Sequence, residues 1–210
     1  MPKDQIQLKL AKNQPYALNL EDAEIDYQAQ FIEAEQAWQL FQELLEQTNW
    51  RQDYITLYGK THKVPRLTRW VADAGLDYSY SNITLHPASW TDTLLELRQQ
   101  VEQASGQHFN SVLLNYYRSG QDCNGWHSDD EPELGDDPVI ASLSLGGARD
   151  FRLRHKFNKA LQQTVSLEHG SLLLMRGNSQ RCWQHHVPRR ANAAPRINLT
   201  FRTIFPLTQA

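Results

Sequence analysis

The stretch "PVIASLSLGGARDFRLRHK" (residues 138–156) decides the fold class. It contains two β-rich runs, and Gly146 and Gly147 between them mark a turn between strands. Further short runs of the same character, separated by clusters of Gly, Pro, Asn or Asp, lie from about residue 108 onward: "HFNSVLLNYY", "QQTVSLEHG", "SLLLMRG", "RCWQHHVP" and "RINLTFRTIF". Repeated short strands with turn signals predict a β-sandwich, a barrel or a jelly roll.

Upstream of residue 108 the pattern is helical. Residues 32–47, "IEAEQAWQLFQELLEQ", place apolar side chains on one face of an amphipathic helix. Residues 91–106 predict a second helix, with Thr91 or Asp92 capping its start and Gly106 at its end. We therefore expect an α+β chain, mainly β with flanking helices. Its expected parts are an N-terminal extension (1–30), a helical support (31–107) and a β core (108–210), with 31–210 forming one domain.

Composition limits where the protein can work. No run of 18 or more apolar residues occurs, so we expect no transmembrane helix and no membrane partner. The first twenty residues lack the apolar segment and the small-residue cleavage site of a secretory signal. The two cysteines, Cys123 and Cys182, are therefore expected to be free thiols in a reducing compartment. These features predict a cytoplasmic protein, with the nucleus as the alternative location in a eukaryote, and we expect a monomer.

Charge is unevenly distributed along the chain. From residue 146 to the end there are eleven Lys and Arg residues against two acidic ones, whereas residues 1–145 carry ten against twenty-two. Such a split can mark a half that binds a polyanion. The alternative is a set of basic residues scattered over a solvated surface. The net charge of −3 argues against a protein that coats nucleic acid without specificity.

A possible metal site begins in "NGWHSDDE" (residues 124–131). In extended backbone His127 and Asp129 project from the same face and can hold one ion. The third ligand would come from "CWQHHVP", where adjacent His185 and His186 point in opposite directions, so that one faces inward. Two histidines and one carboxylate form the facial arrangement that leaves coordination positions open on Fe(II). A solvated acidic turn is the alternative for the first cluster.

The segment "APRINLTFRTI" (residues 194–204) alternates polar and apolar side chains. As a strand, it would bury one apolar face and line a cavity with the other. The residues of the polar face are Arg196, Asn198, Thr200 and Arg202, and on a second strand Asn115 and Tyr117 share a face that offers an amide and a phenol. Buried arginines need anionic partners, and a guanidinium can bind a carboxylate through two parallel hydrogen bonds. An ordinary surface strand is the alternative.

Together these segments resemble a known family. "LNYYRSGQDCNGWHSDDEPELGDDPVIASLSLGGARDFRLRHK", "LEHGSLLLMRG", "WQHHVP" and "PRINLTFR" are similar to the AlkB family of Fe(II)/2-oxoglutarate dioxygenases, in the branch that repairs alkylated nucleic acid. The resemblance runs from about residue 54 to 205. Residues 64–90, "VPRLTRWVADAGLDYSYSNITLHPASW", resemble the nucleotide-recognition segment of that family. The resemblance to the family implies a double-stranded β-helix (jelly-roll) core, with Fe(II) as the cofactor and with 2-oxoglutarate and O2 as cosubstrates.

The resemblance also implies roles for individual residues. His127, Asp129 and His185 match the iron ligands, and His185 is preferred to His186 because Trp183 and Pro188 fix the register. Arg196 matches the residue that binds the distal carboxylate of 2-oxoglutarate. The matches to the surrounding cosubstrate contacts are Asn115, Tyr117, Asn198, Thr200 and Arg202. The matches to the substrate contacts are Tyr78 and Tyr80, as an aromatic lid over a flipped base, and Asp130, as a carboxylate that faces the base.

Two positions depart from the family's pattern. "RWVADAG" (residues 69–75) stands where many relatives have an aromatic residue followed by Gly and Asp, so this segment differs from the family near the lid. Gln184 occupies a position that is often aromatic, which could change how the ligand strand packs.

The activity implied by the resemblance is oxidative demethylation of N-methyl adenine or cytosine in DNA, with release of formaldehyde, succinate and CO2. Such a base must be flipped out of the helix. The candidates for phosphate contacts are Arg149, Arg152, Arg154, Lys156, Arg189 and Arg190, of which Arg152 and Arg154 are the assigned substrate contacts. The alternatives are RNA or protein as the substrate of the same chemistry, a zinc hydrolase with the same ligands, and a jelly-roll binding module without activity.

Overall fold

The computed structural model describes residues 14–57, 59–76, 78–80, 83–85 and 87–205, with residues 57, 78–80 and 83–85 described as backbone only. Within these residues the helices are α1 (Ala34–Gln47), α2 (Asp92–Ser105) and the short α3 (Ser179–Cys182), and Pro132–Leu134 form a 3-10 turn. The strands are β1 (Tyr16–Leu18), β2 (Glu24–Gln28), β3 (Tyr54–Leu57), β4 (Lys60–Lys63), β5 (Leu67–Ala72), β6 (Tyr78–Tyr80), β7 (Ile83–Leu85), β8 (Ser111–Tyr117), β9 (Asn124–His127), β10 (Ile140–Gly146), β11 (Arg149–His155), β12 (Gln162–Leu167), β13 (Ser171–Arg176), β14 (Trp183–Val187) and β15 (Arg196–Arg202).

Two antiparallel sheets form the body of the protein. The large sheet has the strand order β1-β2-β13-β10-β15-β8-β5, and the small sheet has the order β12-β11-β14-β9. A shared apolar core joins them, since Ile140 and Leu173 of the large sheet pack in the same buried cluster as Phe151 and Val165 of the small sheet. This is the packing of a jelly roll, in which two sheets bury their inner faces against each other.

The two long helices cover the other face of the large sheet. Buried residues of α1 and α2, among them Phe41 and Leu97, pack with Leu143, Leu199 and Phe201 of the sheet. Both helices begin and end close to the bounds that the sequence predicts. In α2 the Thr91 side chain accepts a hydrogen bond from the Leu94 amide, and Gly106 ends the helix in the left-handed conformation.

The Gly146–Gly147 turn carries the chain from one sheet to the other. Strand β10 lies in the large sheet and β11 in the small one, so the backbone must turn sharply between them. Gly146 has a φ of +90°, and a Cβ there would lie 2.5 Å from the Pro195 carbonyl oxygen and 2.8 Å from the Phe41 ring. Only glycine fits both the conformation and the space.

Sheet membership crosses the expected boundaries. Strands β1 and β2 lie within the expected N-terminal extension, yet β2 pairs with β13 in the large sheet. Strand β5 lies within the expected helical support, yet it pairs with β8 along its whole length. Seven strands outside the expected β core are therefore present upstream of residue 108, and three of them extend the large sheet.

The structure also bears on membrane insertion. None of the helices in the described part of the chain is both long enough and apolar enough to cross a bilayer.

The helix-side core yields a test of stability. Phe201 is 0% exposed and packs beneath the helices, whereas Phe205 is 54% exposed. We expect Phe201→Ala to lower the free energy of unfolding by about 3–5 kcal/mol, because it removes a buried ring and leaves a cavity. Phe205→Ala makes the same chemical change at the surface and should cost less than about 1 kcal/mol. Urea denaturation measures both, and equal losses would contradict the packing described here.

Candidate metal centre and cosubstrate pocket

Two strands of the small sheet bring the histidines together. Strand β9 pairs antiparallel with β14, and His127 lies directly opposite His185. Their ring centroids are 4.2 Å apart. Asp129 follows β9, and one donor atom from each of the three residues lies within 4.8 Å of the other two. The structure thus brings together the three side chains that the sequence predicts as metal ligands.

The three donor groups converge without bonding to one another. Nε2 of His127 and Nε2 of His185 each lie 4.0 Å from a different oxygen of the Asp129 carboxylate. That separation is too long for a hydrogen bond. Two imidazoles and a carboxylate, arranged around a common point, fit a divalent transition metal with coordination positions left for other ligands.

The histidines are in the chemical form that binds a metal. His127 Nδ1 lies 2.8 Å from the Gly125 carbonyl oxygen, which can only accept, so Nδ1 carries the proton and Nε2 keeps its lone pair. That lone pair accepts from the Asn124 side-chain amide at 3.2 Å. Burial, together with the nearby His127, lowers the pKa of His185 to about 3, so its imidazole is neutral.

Asp129 is a buried carboxylate held in its ionised form. Burial by itself would raise its pKa, but the charge and the hydrogen bond of Arg202 outweigh burial and lower the pKa to about 2. The Arg202 Nη2 group donates to Asp129 Oδ1 at 2.8 Å. The Asp129 backbone N–H donates to the side-chain oxygen of Gln180 at 2.9 Å. The sequence expected Arg202 to contact the cosubstrate, and its described contact is with the carboxylate ligand.

A buried arginine lies at the start of strand β15 in the large sheet. Arg196 is 0% exposed, and its Nη2 donates to Ser144 Oγ at 2.9 Å. Its Nε and Nη1 have no partner among the residues that the structure describes. Burial lowers the pKa of Arg196 to about 10, so the guanidinium is charged at neutral pH. A buried cation with unpartnered N–H groups fits a carboxylate-bearing ligand such as 2-oxoglutarate.

Other polar residues of this face are already bound to the protein. Asn198 donates to Ser142 Oγ and to the Leu143 carbonyl oxygen, and its own Oδ1 accepts from Thr200. Asn115 accepts from Arg66 Nε at 2.7 Å. These contacts fix the side chains of the pocket wall before any ligand binds.

Tyr117 lies between two buried guanidiniums. The Arg196 Cζ atom is 5.3 Å from the centre of the Tyr117 ring, and the Arg149 Cζ atom is 5.5 Å from it. Arg149 is 1% exposed and donates to the backbone carbonyls of Asp122 and Pro188. The prediction that Arg149 contacts phosphates is therefore wrong: its guanidinium is buried and ties two loops together.

The geometry agrees with comparisons to known proteins. Residues 25–202 match the family model of the 2OG-Fe(II) oxygenase superfamily. The chain is 41% identical, over 186 residues, to the alpha-ketoglutarate-dependent dioxygenase alkB homolog 3 of Bos taurus, covering 84% of this chain and 64% of that one. It is 41% identical, over 200 residues, to the DNA oxidative demethylase ALKBH2 of Mus musculus, covering 90% and 83%. This chain belongs to the AlkB family of 2OG-Fe(II) oxygenases.

The solved structure of OsALKBH1 supports the fold of this AlkB-family chain. The two superpose with a TM-score of 0.66 at 17% identity, over 90% of this chain and 100% of the other. The predicted jelly-roll class is thereby confirmed. The family assignment likewise confirms the predicted Fe(II), 2-oxoglutarate and O2. The chain spans less than two thirds of the length of the alkB homolog 3 proteins that it matches, covering 64% of the Bos taurus protein and 62% of the Rattus norvegicus protein.

The predicted substrate contacts stay predictions, and the structure gives the surroundings of three of them. Tyr78 and Tyr80 lie on β6, whose side chains are outside the described part of the structure. Asp130 is exposed, and its carboxylate accepts from Lys156 Nζ at 2.9 Å. Arg152 is exposed on β11. Arg154 donates twice to the side-chain oxygen of Gln184.

A stack of side chains on the outer face of the small sheet was not predicted. His186 lies with its ring 3.9 Å from that of Trp126, and the Arg154 guanidinium lies 4.2 Å from the same indole. Trp126 precedes His127 and His186 follows His185, so strand alternation places the stack on the opposite face of the sheet from the two predicted ligands. It ties β9 to β14 where their register shifts.

A second group of possible ligands, formed by Asp22, His155 and Cys182, fails on chemistry. The donor atoms lie within 4.8 Å of one another. However, His155 Nδ1 accepts from the backbone amides of Phe157 and Asn158, so the proton of the neutral ring sits on Nε2. The nitrogen that faces Asp22, at 3.4 Å, therefore has no lone pair for a metal.

The Asp129–Arg202 pair gives a test with a matched control. Replacing Arg202 by Met leaves a buried carboxylate without its cation, so we expect the free energy of unfolding to fall by about 3 kcal/mol or more. Arg181 pairs with Asp137 at the same 2.8 Å distance, but those side chains are 60% and 43% exposed. Arg181→Met should cost less than about 1 kcal/mol. Urea denaturation compares the two, and an equal cost would show that burial does not matter here.

Proposed function

We propose that this chain is an Fe(II)- and 2-oxoglutarate-dependent oxygenase that removes N-methyl groups from adenine or cytosine in DNA. The main support is the group of His127, Asp129 and His185, which lies between the sheets with Arg196, whose Nε and Nη1 have no partner among the described residues. The family supplies the reaction class, and the relative named DNA oxidative demethylase ALKBH2 supports the substrate.

In this proposal each residue has a defined task. His127, Asp129 and His185 hold the iron on one face, while Arg202 keeps the Asp129 carboxylate ionised and oriented. Arg196 binds the far carboxylate of 2-oxoglutarate, and Tyr117, Asn115, Asn198, Thr200 and Arg202 shape the pocket around it. Burial of the pocket wall excludes water and strengthens the charge pair with Arg196.

Bound iron and 2-oxoglutarate would supply oxidation of the methyl group by O2, with succinate, CO2 and formaldehyde as the products. The protein must bring the base to that chemistry. A paired base lies inside the duplex, so it has to be flipped out or presented in a single strand. Tyr78 and Tyr80 stay predictions as the lid over this base, as do an intracellular location and a monomeric state.

The charge distribution supports a nucleic acid as the partner. Arg152 is exposed on the small sheet, and Arg154 lies beside Trp126 on the same strand. Asp130 forms a surface ion pair with Lys156 beside the metal ligands, where a cationic methylated base would compete for the carboxylate. RNA, a protein side chain, a zinc hydrolase and a silent binding module are not favoured, because the relatives are named as dioxygenases and one as a DNA demethylase.

Formaldehyde release is the direct test. The purified chain, supplied with Fe(II), 2-oxoglutarate and air, should release formaldehyde from an oligodeoxynucleotide that carries N-methyl adenine or N-methyl cytosine. We expect His185→Ala to reduce the release to background, because it removes a buried ligand. The His108 side chain is exposed and pairs with Glu102 instead of the candidate ligands, so His108→Ala serves as the matched control and should retain activity. Full activity of the His185→Ala protein would overturn the proposal.

The role of Arg196 has a separate test. We expect Arg196→Met to raise the KM for 2-oxoglutarate by roughly 10- to 100-fold, because it removes a charge-assisted contact. The KM for the methylated oligonucleotide should stay nearly constant, since Arg196 lies beneath the cosubstrate pocket. Steady-state kinetics with each substrate varied in turn measures both values. A parallel rise in the two would count against carboxylate binding by Arg196.

A further inference from the structure

The hairpin formed by β11 and β12 presents an exposed aromatic ring. Phe157, at its tip, is 78% exposed, more than any other large apolar side chain that the structure describes. Burying such a ring usually stabilises a fold, because it removes apolar surface from water. The Phe157 ring makes an edge-to-face contact with the His155 ring at 5.8 Å but stays largely in water, so stability alone does not explain a phenylalanine at this position.

The exposed position is built into the turn. His155 is buried, and its Nδ1 accepts from the backbone amides of both Phe157 (3.3 Å) and Asn158 (3.0 Å). The Lys156 amide donates to the Cys182 carbonyl oxygen, and the Leu161 amide donates to that of Asn158. These hydrogen bonds hold the backbone on both sides of Phe157, so the ring projects from a fixed support.

The surroundings of the ring are basic. Between Phe151 and Leu167 the chain has four Lys or Arg residues and no acidic one. Lys156 pairs with Asp130, and Arg154 lies over Trp126. Lys159 and Arg152 are exposed, and neither forms an ion pair with any residue that the structure describes. They are free to meet an anion.

The tip also lies close to the candidate metal centre. Lys156 Nζ binds the carboxylate of Asp130 and the Gln180 carbonyl oxygen. Asp130 follows the ligand Asp129, and Gln180 binds the Asp129 amide. Phe157 therefore directly follows Lys156, whose side chain binds Asp130, the residue next to the predicted ligand Asp129.

We propose that Phe157 is a stacking contact for an unpaired base of a DNA single strand whose methylated nucleotide occupies the active site. Lys159 and Arg152 would meet the phosphates of the same strand. The proposal rests on the proposed function and extends it to nucleotides outside the pocket. An aromatic side chain among cations is the usual means of binding single strands, since every base offers a flat face and every nucleotide a phosphate.

The chemistry around Phe157 favours a nucleic acid strand over a protein partner. Protein interfaces are built on contiguous apolar patches, and the chain neighbours of this ring are Lys156, Asn158 and Lys159. Paired bases present their faces only to their neighbours in the stack. A single exposed ring therefore matches an unpaired base, and a duplex offers it no face along its length.

The test compares substrates of two lengths in the full chain. One is a methylated single strand of about twelve nucleotides, which is within the range of single-strand sites, and the other is a methylated strand of about three. We expect Phe157→Ala to raise the KM for the longer strand by roughly 5- to 100-fold with kcat unchanged. The KM for the shorter strand should not change. Phe205→Ala, at another exposed phenylalanine, should alter neither.

Two further variants separate stacking from other contacts. Phe157→Trp should keep or strengthen the binding of the longer strand, whereas Phe157→Leu, which is apolar without a ring, should weaken it as Phe157→Ala does. Lys159→Gln should make the plot of log K against log salt less steep, by the amount that one phosphate contact contributes to the slope. Wild-type affinity of the Phe157→Leu protein, or an equal loss on duplex DNA, would overturn the proposal.

The failure of this proposal can be distinguished from the failure of the proposed function. Binding of an unmethylated, dye-labelled single strand is measured by fluorescence anisotropy without turnover. If the wild-type chain releases no formaldehyde but Phe157→Ala still weakens that binding, the stacking contact stands and the demethylase assignment falls. If formaldehyde release is normal and Phe157→Ala changes neither the KM nor the anisotropy, the stacking contact falls alone.

Discussion

Side-chain alternation along paired strands is the constraint on which the site depends. In β14, His185 faces the interior and His186 faces outward onto Trp126, and the pairing with β9 sets His127 opposite His185. In β15 the same alternation sends Ile197, Leu199 and Phe201 to the helices and turns Arg196 and Asn198 between the sheets. A slip of one residue in either strand would reverse every one of these directions.

The charges around the site determine which form each of its side chains takes. Asp129 is buried and pairs with the partly buried Arg202, which keeps the carboxylate ionised in spite of its burial, as a metal ligand must be. Arg196 and Arg149 are also buried, and neither has a carboxylate partner among the described residues. Burying a cation is costly unless it meets hydrogen-bond acceptors or an anion. Arg149 donates to backbone carbonyls and leaves only its Nε without an acceptor among the described residues, whereas Arg196 leaves both Nε and Nη1, which suits the proposed role of binding a dicarboxylate.

Much of this arrangement could be predicted from the sequence because it rests on local patterns. Helix caps at Thr91 and Gly106, the Gly146–Gly147 turn and the alternation of β15 are all properties of neighbouring residues. Partners distant in the chain could not be predicted in this way: Gln180 at the Asp129 amide, Arg66 at Asn115, and the buried carbonyls around Arg149 depend on tertiary packing. Strands β1 and β2 were missed as members of the large sheet because they join it through the pairing of β2 with β13, which lies far along the chain.

The central claim is that three side chains and one buried arginine form a site for Fe(II) and 2-oxoglutarate together. The most direct measurement is an anaerobic titration of the wild-type chain with both, followed by visible absorption. A weak metal-to-ligand band should develop only when both are present and should saturate at one equivalent of each. The absence of a band, or a band that appears without 2-oxoglutarate, would contradict the claim.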